Sequence, residues 1–556
     1  MPTIKSFNKR LEGLRTERAT YFPLWQELSD HHLAHRGRFL TSDRNKGYKR
    51  NTKQINNTSR LSSRTLASGM MSGITSPARP WFRLATGDKK LDDVTAVKMW
   101  LHEVQTTMYK VFSASNTYNS LHQLYSELGT FGTAAMGVFS DFDDVIWCKP
   151  YTIGSYMLGM DGQGVSDTLY REYELSVAQT VKQFGIENVS DGVKKQWDTG
   201  NTEAWVKIVH AIEPNDDRDH MSIKASDKPF RSVYYEAAAG NRDGDKFLRE
   251  SGFDEFPILS PRWDVTGEDV YATDCPGITS IGDAKALQLA ERRKYQAFDK
   301  LVSPPLQGPV ALRAKMKGAQ PKPNEVIWMD EVGDGLTSIY KNYRPEVEQI
   351  KEEILNVENR IQRAYYEDLF LMLANSDRRQ ITAREVAEKH EEKLLMLGPV
   401  LERLHTELLD PLIDRTFNIL QRNGVLPVPP PELQNRELSV EYVSVLAQAQ
   451  RLVNTGAIDR LVDYTSRVAA VWPEARHKIN VMQSIDDYSE ALGNNPAMVV
   501  SDSEAEALAQ AEREAAQQAA QMAQAAEMAN MAKTASETSI DENNVLGATM
   551  DRAGAL

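Results

Sequence analysis

The acidic run "DFDD" places three carboxylates, Asp141, Asp143 and Asp144, within four positions. Clustered carboxylate oxygens are the ligands that Mg²⁺ prefers, and metal-dependent nucleases use such clusters to cleave phosphodiester bonds. The run lies between two β-rich stretches, a setting in which Asp residues also form hairpin turns. Two interpretations follow: a phosphodiester-cleaving enzyme centred on these residues, or an acidic turn, which the setting favours.

A second group of possible metal ligands consists of His31, His32 and His35, within helical reach of one another. Zinc sites combine His with Cys or carboxylate ligands at defined spacings, and no such partner is placed to complete this group. We therefore predict a surface cluster of histidines and no metal site.

The motifs that bind nucleotides or supply a nucleophile are missing. "GMDGQG", Gly159 to Gly164, opens no helix with the spacing of a dinucleotide fingerprint. The sequence contains no G-x-x-x-x-G-K-[ST], no G-x-S-x-G and no paired Cys/His signature. The chain is expected to hydrolyse no nucleotide itself and to need no cofactor.

Composition places the chain among multidomain globular proteins. Its 556 residues correspond to roughly four domains of about 150 residues, and 41% hydrophobic with 26% charged residues is ordinary. No run of about 18 apolar residues and no signal peptide occur, so membrane contact is not expected. Cys148 and Cys275 are predicted to be buried free thiols in a reducing compartment.

Charge is distributed unevenly along the sequence. The net charge is −13, but residues 1–64 hold 14 Lys and Arg against 5 Asp and Glu. Residues 501–556 hold 3 against 10. The two ends are therefore expected to face different surroundings.

Proline and small residues divide the N-terminal region. An amphipathic helix is predicted at the N-terminus, interrupted at Pro23. "TSRLSSRTLASGMMSGIT" predicts a helix packed closely against a neighbour, and "SPARPWFRL" ends it at Pro77 and Pro80. Trp81 and Phe82 then open a half-buried strand.

The hydrophobic period changes after residue 130. Residues 94–130 read as two helices, whereas residues 133–264 contain short β-rich runs separated by Gly, Asp and Asn. We predict an antiparallel β region there, interrupted by one helix near residues 176–184.

Two long helices follow, joined by about 40 residues rich in proline. The first covers Asp283 to Val302, and the second begins at Pro345, a residue favoured at the first helical position. Apolar residues of the second helix recur at alternating spacings of three and four, which is typical of a coiled-coil seam. We expect a neighbouring subunit to cover this seam. Its residues are Val347, Ile350, Ile354, Val357, Ile361 and Ala364.

The remainder is mainly helical. A polar loop carrying Arg378, Arg379 and Gln380 precedes a capping box formed by Thr382 and Glu385. The following long helix should bend at Pro411 and end near residue 423, and residues 437–492 read as a small helical domain. Another capping box at residue 501 opens about 30 Ala-, Gln-, Glu- and Met-rich residues predicted to be helical.

This arrangement resembles the portal, or head-to-tail connector, proteins of short-tailed bacteriophages. The residues that carry the resemblance are the basic N-terminal helix, the passage "SRLSSRTLASGMMSGITSPARPWFRL", the paired long helices, "QITAREVAE" after a polar loop, and the Ala-rich tail. One departure is "YATDCP", where such portals tend to have a Tyr-Gly-x-Gly-Pro-like turn.

The resemblance implies an α+β, predominantly helical portal fold assembled as a ring. Its parts, by residue number, are expected to be the wing at 1–280, stem helix 1 at 281–302, the clip at 303–344, stem helix 2 at 345–373, the tunnel loop at 374–381, the wing helix at 382–436, the crown at 437–495, and the barrel helix and tail at 496–556.

The resemblance also implies a structural protein at one capsid vertex of the virion, assembled in the host cytoplasm. Its expected partners are copies of itself in a twelve-membered ring, double-stranded DNA in the channel, terminase, a tail adaptor protein, and the major capsid and scaffolding proteins.

Three groups of residues receive roles from this resemblance. The tunnel loop would present Arg378, Arg379 and Gln380 to DNA. The seam residues named above would pack against the neighbouring stem. Arg313, Lys315 and Lys317 of the clip would contact partner proteins.

Overall fold

The computed structural model describes residues 3–39, 53–88, 91, 94–239, 246–302, 306–307, 337–338, 347–374, 397–433, 438–443 and 502–537, with some positions between 461 and 485. The chain divides into two compact units, Met1–Asn454 and Thr455–Leu556. In the first unit, besides the helical residues 397–404, the described α-helices are α1 Ile4–Ala19, α2 Phe22–His31, α3 Thr58–Gly73, α4 Thr95–Ala114, α5 Thr117–Phe131, α6 Val177–Phe184, α7 Asp191–Asp198, α8 Pro276–Val302, α9 Val347–Ala364, α10 Glu367–Ala374 and α11 Asp410–Arg422.

All strand pairs of the described residues are antiparallel. A five-stranded sheet has the order β4-β5-β6-β7-β8, a three-stranded sheet has the order β3-β2-β9, and β1-β12 and β10-β11 are separate pairs. The strands are β1 Phe82–Ala85, β2 Ala135–Ser140, β3 Ile146–Tyr151, β4 Tyr156–Met160, β5 Ser166–Ser176, β6 Trp205–Pro214, β7 Phe230–Glu236, β8 Arg249–Phe253, β9 Ile258–Leu259, β10 Leu306–Gln307, β11 Thr337–Ser338 and β12 Ser439–Tyr442.

The predicted antiparallel β region is confirmed, with one omission. Strands β2 to β9 fill residues 135–259, and the predicted helix is α6, which Ser176 and Gln179 cap reciprocally. The omission is helix α7, which follows the N-cap Ser190 and has no counterpart in the prediction. Its eight residues are too few, and include a glycine, to give a clear helical period.

The N-terminal helix is interrupted near Pro23, as predicted. Helix α1 ends at Ala19, and α2 begins at Phe22 with the proline in its first turn, where the missing N–H costs no hydrogen bond. Phe7 and Leu11 of α1 are buried against one face of the five-stranded sheet, where they join Tyr170 in a cluster.

The stretch "SPARPWFRL" opens a buried strand. Trp81 and Phe82 have exposed fractions of 1% and 0%. Their backbone N–H groups donate to the Tyr109 hydroxyl at 2.8 and 2.9 Å, and that hydroxyl donates to the Phe82 carbonyl at 2.7 Å. One phenol therefore satisfies three backbone groups where the strand begins.

Strand β1 pairs with β12, with Phe82 opposite Tyr442. Residues 439–442 thus pair with a strand of the predicted wing, and the boundary of the crown at residue 437 stays a prediction. Most of the remaining crown residues lie outside the described part of the chain.

The two long helices differ from their predicted bounds. Helix α8 begins at Pro276, five residues before the predicted start at 281, because the proline provides a helix-compatible φ. The second helix is not continuous to residue 373. It ends at Ala364, and Tyr366, with φ 52°, separates α9 from α10. A left-handed backbone conformation at a tyrosine ends a helix. The spacing of hydrophobic residues gives no indication of such a break.

The helix that precedes α11 changes its pitch before Pro411. Residues 397–404 are α-helical, His405–Leu409 form a π-helical turn, and α11 continues to Arg422. Proline has no N–H to donate to the preceding turn, so the expected disturbance takes the form of a widened turn. The predicted end near residue 423 is confirmed, since Gly424 has a φ of 66°.

The second unit is described mainly through one helix, α12 Asp502–Glu537, of 36 residues. The predicted Ala-rich helix is therefore confirmed and is longer than expected. Leu508, Met522 and Met528 on it are exposed.

Close backbone contact at small residues joins the helices of the first unit. A Cβ added at Gly277 of α8 would lie 2.1 Å from the carbonyl oxygen of Thr130, at the end of α5. At Gly69 of α3 an added Cβ would lie 2.2 Å from the Cβ of Phe370 in α10. Gly282, one and a half turns further along α8, has no atom within 4 Å of the corresponding position.

We predict opposite effects of alanine at these two glycines of α8. Gly277→Ala should destabilise the protein, because the backbone carbonyl of Thr130 cannot move away without displacing α5. Gly282→Ala should stabilise it by about 0.5–1 kcal/mol through helix propensity alone. Urea unfolding monitored by circular dichroism checks both, and equal effects at the two sites would contradict the packing described here.

Candidate functional site

Helices α8 and α9 form the paired element on which the sequence-based hypothesis depends. Ala284 and Leu287 of α8 share a buried cluster with Val357 and Ile361 of α9. Arg360 Nε lies 3.0 Å from an Asp283 carboxylate oxygen, which links the two helices at the surface. The pair therefore has its own apolar contact within a single chain.

The predicted seam is already covered by the chain that carries it. Ile354, Val357 and Ile361 are 5%, 2% and 0% exposed, and Ile350 is half-buried. Helices α8 and α3 contact α9. The expectation that the seam needs a neighbouring subunit is therefore wrong, because periodicity identifies an apolar face but not what covers it. The side chain of Val347 lies outside the described residues, and subunit packing by this helix stays a prediction.

A polar network joins the segment before α3 to both long helices. Gln288 Oε1 accepts hydrogen bonds from the backbone N–H groups of Ile55 and Asn56, at 2.6 and 2.9 Å. The Asn56 amide donates to Glu291 of α8 at 3.2 Å and to Glu358 of α9 at 2.8 Å. One asparagine thus fixes the separation of the two helices at this level.

The start of α8 is tied to α2. Lys285 of α8 forms an ion pair with Glu27 of α2. Nearby, the ring of His32 is fully buried and its Nδ1 lies 3.1 Å from the Tyr365 hydroxyl, which follows α9. Burial, with a smaller effect of His31, lowers the pKa of His32 to about 3, so the ring is neutral at physiological pH.

The predicted surface cluster of histidines is therefore wrong for its central member. His31 is half-buried and its Nδ1 lies 3.0 Å from the Glu27 carbonyl oxygen, while His35 is exposed. His32 instead fills a site between helices, because a neutral imidazole is tolerated where its ring nitrogen has a hydrogen-bond partner.

A buried carboxyl group lies beside this junction. Glu127 of α5 accepts a hydrogen bond from the backbone N–H of Ile153 at 3.0 Å, and Arg36 Nη1 lies 3.5 Å from its other oxygen. Burial raises the pKa of Glu127 to about 7, against the lowering effects of Arg36 and the Ile153 N–H. The carboxyl group is thus close to half-protonated at neutral pH.

The distal half of α8 carries exposed apolar and basic side chains. Tyr295, Phe298 and Val302 are exposed by 56%, 38% and 81%. Arg292 and Arg293 are exposed on the same half. Exposed aromatic residues on a charged helix are typical of a surface that another protein covers.

Comparisons with known proteins identify the family to which this fold belongs. The family model described as bacteriophage head to tail connecting protein matches residues 5–499. The portal protein of Salmonella phage epsilon15 is 44% identical over 549 residues, covering 98% of each chain. A protein of Bordetella phage BPP-1 named probable portal protein is 44% identical over 510 residues, covering 91% of this chain and 90% of that one.

The chain belongs to the bacteriophage head to tail connecting protein family. The resemblance stated from the sequence is confirmed, and the α+β class of the connector agrees with the described helices and antiparallel sheets. Membership of this family indicates a structural protein.

Several predicted site residues of this connector lie outside the described part of the chain. These are the tunnel-loop residues Arg378, Arg379 and Gln380 and the clip residues Arg313, Lys315 and Lys317. The structure brings neither group into a described site, and their roles stay predictions.

The acidic run is a hairpin turn in this connector. Asp141 follows β2, and its carboxylate accepts hydrogen bonds from the backbone N–H groups of Asp143 and Asp144, both at 3.1 Å. That geometry is a local Asx-type turn, in which one Asp141 carboxylate oxygen accepts both hydrogen bonds. Among the described residues no group of three His, Cys, Asp or Glu side chains is placed to hold a metal ion.

The glycine-rich run "GMDGQG" is also a turn, between β4 and β5. Asp161 Oδ1 accepts from the N–H groups of Gln163 and Val165 at 2.8 and 2.9 Å. Cys148 and Cys275 are buried and unpaired with each other, as predicted. A search of the described helices finds none that is long and apolar enough to cross a membrane.

The polar residues that connect α8 and α9 to the rest of the connector were not predicted. Asn56, Gln288 and Glu358 are far apart in sequence and belong to no motif. The sequence contained one signal, because the polar residues Gln288 and Glu291 interrupt the apolar stripe of α8. Both are buried in the structure.

We predict that Glu127 makes the stability of the connector fall between about pH 4.5 and pH 7. Its pKa in the folded state is raised from 4.5 to about 7, so over this range the folded state binds more protons than the unfolded state. The stabilising effect of protonation is complete below pH 4.5 and is lost as the pH rises through 7. Urea unfolding at pH 5 and pH 7.5 measures it.

Glu127→Gln should remove this part of the pH dependence, because the amide is neutral at both values. Glu103→Gln on α4 is the matched control, since its side chain is exposed. A pH profile of Glu127→Gln that coincides with the parent profile would contradict the assignment.

Proposed function

We propose that this chain is a phage portal protein that forms a homo-oligomeric ring at one capsid vertex and provides the channel for genome packaging and ejection. The observation that carries the proposal is the 44% identity to the portal protein of phage epsilon15 over 98% of both chains. Similarity over nearly the full length supports a shared assembly rather than one shared domain. We expect twelve copies in the ring.

The charge of the chain supports a conduit for a moving duplex. Each Lys or Arg that neutralises a phosphate adds affinity regardless of sequence, so a channel must keep such contacts few. With a net charge of −13 on each copy, a ring repels DNA overall. We propose that Arg378, Arg379 and Gln380 supply the sparse contacts that centre the duplex.

We propose that neighbouring stems meet through surfaces other than the buried part of the seam. Tyr295, Phe298 and Val302 extend the apolar side of α8 beyond Ala284 and Leu287, which α9 covers. In a closed ring each copy presents one surface to the copy on its left and a different one to its right. The exposed half of α8 supplies one such surface.

The remaining partners follow from the same proposal. The clip, with Arg313, Lys315 and Lys317, docks terminase during packaging and a tail adaptor afterwards. The major capsid and scaffolding proteins contact the wing when the procapsid forms in the host cytoplasm, and the ring stays in the virion. The basic residues 1–64 are available to capsid protein, scaffold or DNA.

The ring is tested by imaging the purified full-length chain. Negative-stain electron microscopy should show end-on rings with a central opening, and mass photometry should show one dominant high-mass species. A protein that stays strictly monomeric across concentrations would contradict the proposal.

We predict that Tyr295→Glu combined with Phe298→Glu lowers the fraction of ring at a fixed concentration. Burying a carboxylate between subunits without a partner is unfavourable, whereas both positions tolerate charge in the free chain because they are exposed. Val165→Glu, in the exposed turn between β4 and β5, is the matched control and should leave rings intact. Unchanged ring formation in the double variant would place the interface elsewhere.

We predict that Arg378→Glu with Arg379→Glu leaves ring assembly intact but changes DNA packaging or retention. Reversing two charges per copy increases repulsion between the channel and the phosphate backbone. The amount of DNA per particle, measured for assembled phage, checks this. A normal DNA content would show that these arginines do not face the channel.

A further inference from the structure

Cationic and aromatic side chains cross one face of the five-stranded sheet in a row. Arg171 of β5 lies opposite His210 of β6, which lies opposite Tyr234 of β7, which lies opposite Arg249 of β8. Residues directly opposite in neighbouring strands share a face, so these four side chains are neighbours. The rings of His210 and Tyr234 stack at 3.9 Å with an angle of 5°.

A lysine from the other sheet joins this row. Lys149 of β3 has its Nζ 5.9 Å from the centre of the Tyr151 ring, and the Arg171 guanidinium carbon lies 5.0 Å from the same ring. Arg171 is also 4.1 Å from the Tyr173 ring. Two cations therefore share one aromatic ring, and the guanidinium is held between two tyrosines. We call Lys149, Arg171 and Arg249 with their flanking rings the basic cluster.

No described carboxylate forms an ion pair with the cations of the basic cluster. Glu236, on the same face of β7, instead accepts hydrogen bonds from the backbone N–H and the hydroxyl of Ser190. Glu172, next to Arg171, points to the opposite face, where it pairs with Arg15 at 2.9 Å and Lys207 at 3.7 Å. The charges that act on His210 are those of Arg171, Lys149 and Arg249, and all three, after burial, lower its pKa. Burial and then Arg171 lower the pKa of Lys149 to about 8.

This arrangement is unfavourable for an isolated chain. Like charges close together at reduced hydration raise the free energy of the folded state, and the cation–π contacts offset only part of it. Two more deeply buried cations have acceptors: Arg262 pairs with Glu407 at 2.6 Å, and Arg18 donates to two backbone carbonyls. Arg171 does have the Tyr151 hydroxyl as a hydrogen-bond partner, but no described carboxylate forms an ion pair with Lys149 or Arg171. The charges of the basic cluster can therefore still be compensated by an anion.

We propose that the basic cluster is a docking site for an acidic peptide segment of a partner protein. Arg171, restrained between Tyr151 and Tyr173, presents a planar guanidinium suited to bidentate binding of a carboxylate. Lys149 supplies a second charge for a neighbouring acidic side chain. The site goes beyond the conduit proposed above and depends on neither the channel nor the ring.

Accessibility favours a peptide over a DNA duplex. Lys149 and Arg171 are only partly exposed and are flanked by the rings of Trp147, Tyr151 and Tyr173. A carboxylate on a flexible side chain enters between these rings more easily than a phosphate of a broad, stiff duplex, whose position is fixed by the helix that carries it. The net charge of −13 also repels a polyanion more strongly than a short peptide.

The experiment measures binding of a fluorescein-labelled oligo-glutamate peptide to the purified full-length chain by fluorescence anisotropy. An oligo-serine peptide is the uncharged probe, and a labelled DNA duplex is the competing polyanion. Lys149→Met, which keeps the apolar stem, and Arg171→Gln should each weaken glutamate-peptide binding by about tenfold or more. Lys182→Gln, an exposed lysine on α6, is the matched control and should change it little.

A second measurement separates docking from a purely structural role. If the cluster holds surplus positive charge for a ligand, Lys149→Met should leave the thermal unfolding temperature of the free protein unchanged or raise it. Lower thermal stability with no loss of peptide affinity would overturn the proposal. So would wild-type binding of the glutamate peptide no tighter than the serine peptide, or a DNA affinity that depends on Lys149 more than the peptide affinity does.

Discussion

The close approach of α8 to α5 determines how the long helices leave the rest of the first unit. At Gly277 the backbone of α8 contacts the Thr130 carbonyl with no space for a Cβ. Such contacts fix an interhelical distance more tightly than interdigitating side chains, because backbone atoms have no alternative rotamers. The Lys285–Glu27 ion pair and the Asn56 network then fix the direction of α8 and the position of α9 beside it.

The apolar period of α9 is the predicted one, but no neighbouring subunit is needed to cover its buried part. Ile354, Val357 and Ile361 do form one apolar stripe, but α8 and α3 of the same chain bury it. A hydrophobic period gives the direction of burial and carries no information about whether the covering surface is intramolecular. Family membership rests instead on similarity along residues 5–499, so it does not depend on that stripe.

What was predictable followed local rules. Prolines marked the break between α1 and α2, the start of β1 and the bend before α11, because a missing N–H and a fixed φ act on adjacent residues. The β region followed from its period of two. Features that depend on distant contacts could not be predicted from the sequence. Tyr366 adopts a positive φ between two helices, and His32 is buried against Tyr365, which is 333 residues away. The candidate tunnel and clip residues came from family resemblance alone.

The number of charged residues in a region does not distinguish a surface that binds a partner from one whose charges are paired within the chain. The N-terminal region has a large excess of basic residues, yet Arg15 pairs with Glu172, Lys53 pairs with Asp30, and Arg18 is buried with carbonyl acceptors. Part of that excess therefore stabilises the fold and attracts no ligand. Lys149 and Arg171 contribute little to any regional count, but among the described residues no carboxylate forms an ion pair with either of them. On a chain with a net charge of −13, a binding surface is indicated by a cation that has no ion-pair partner. The number of basic residues near that cation in the sequence does not indicate it.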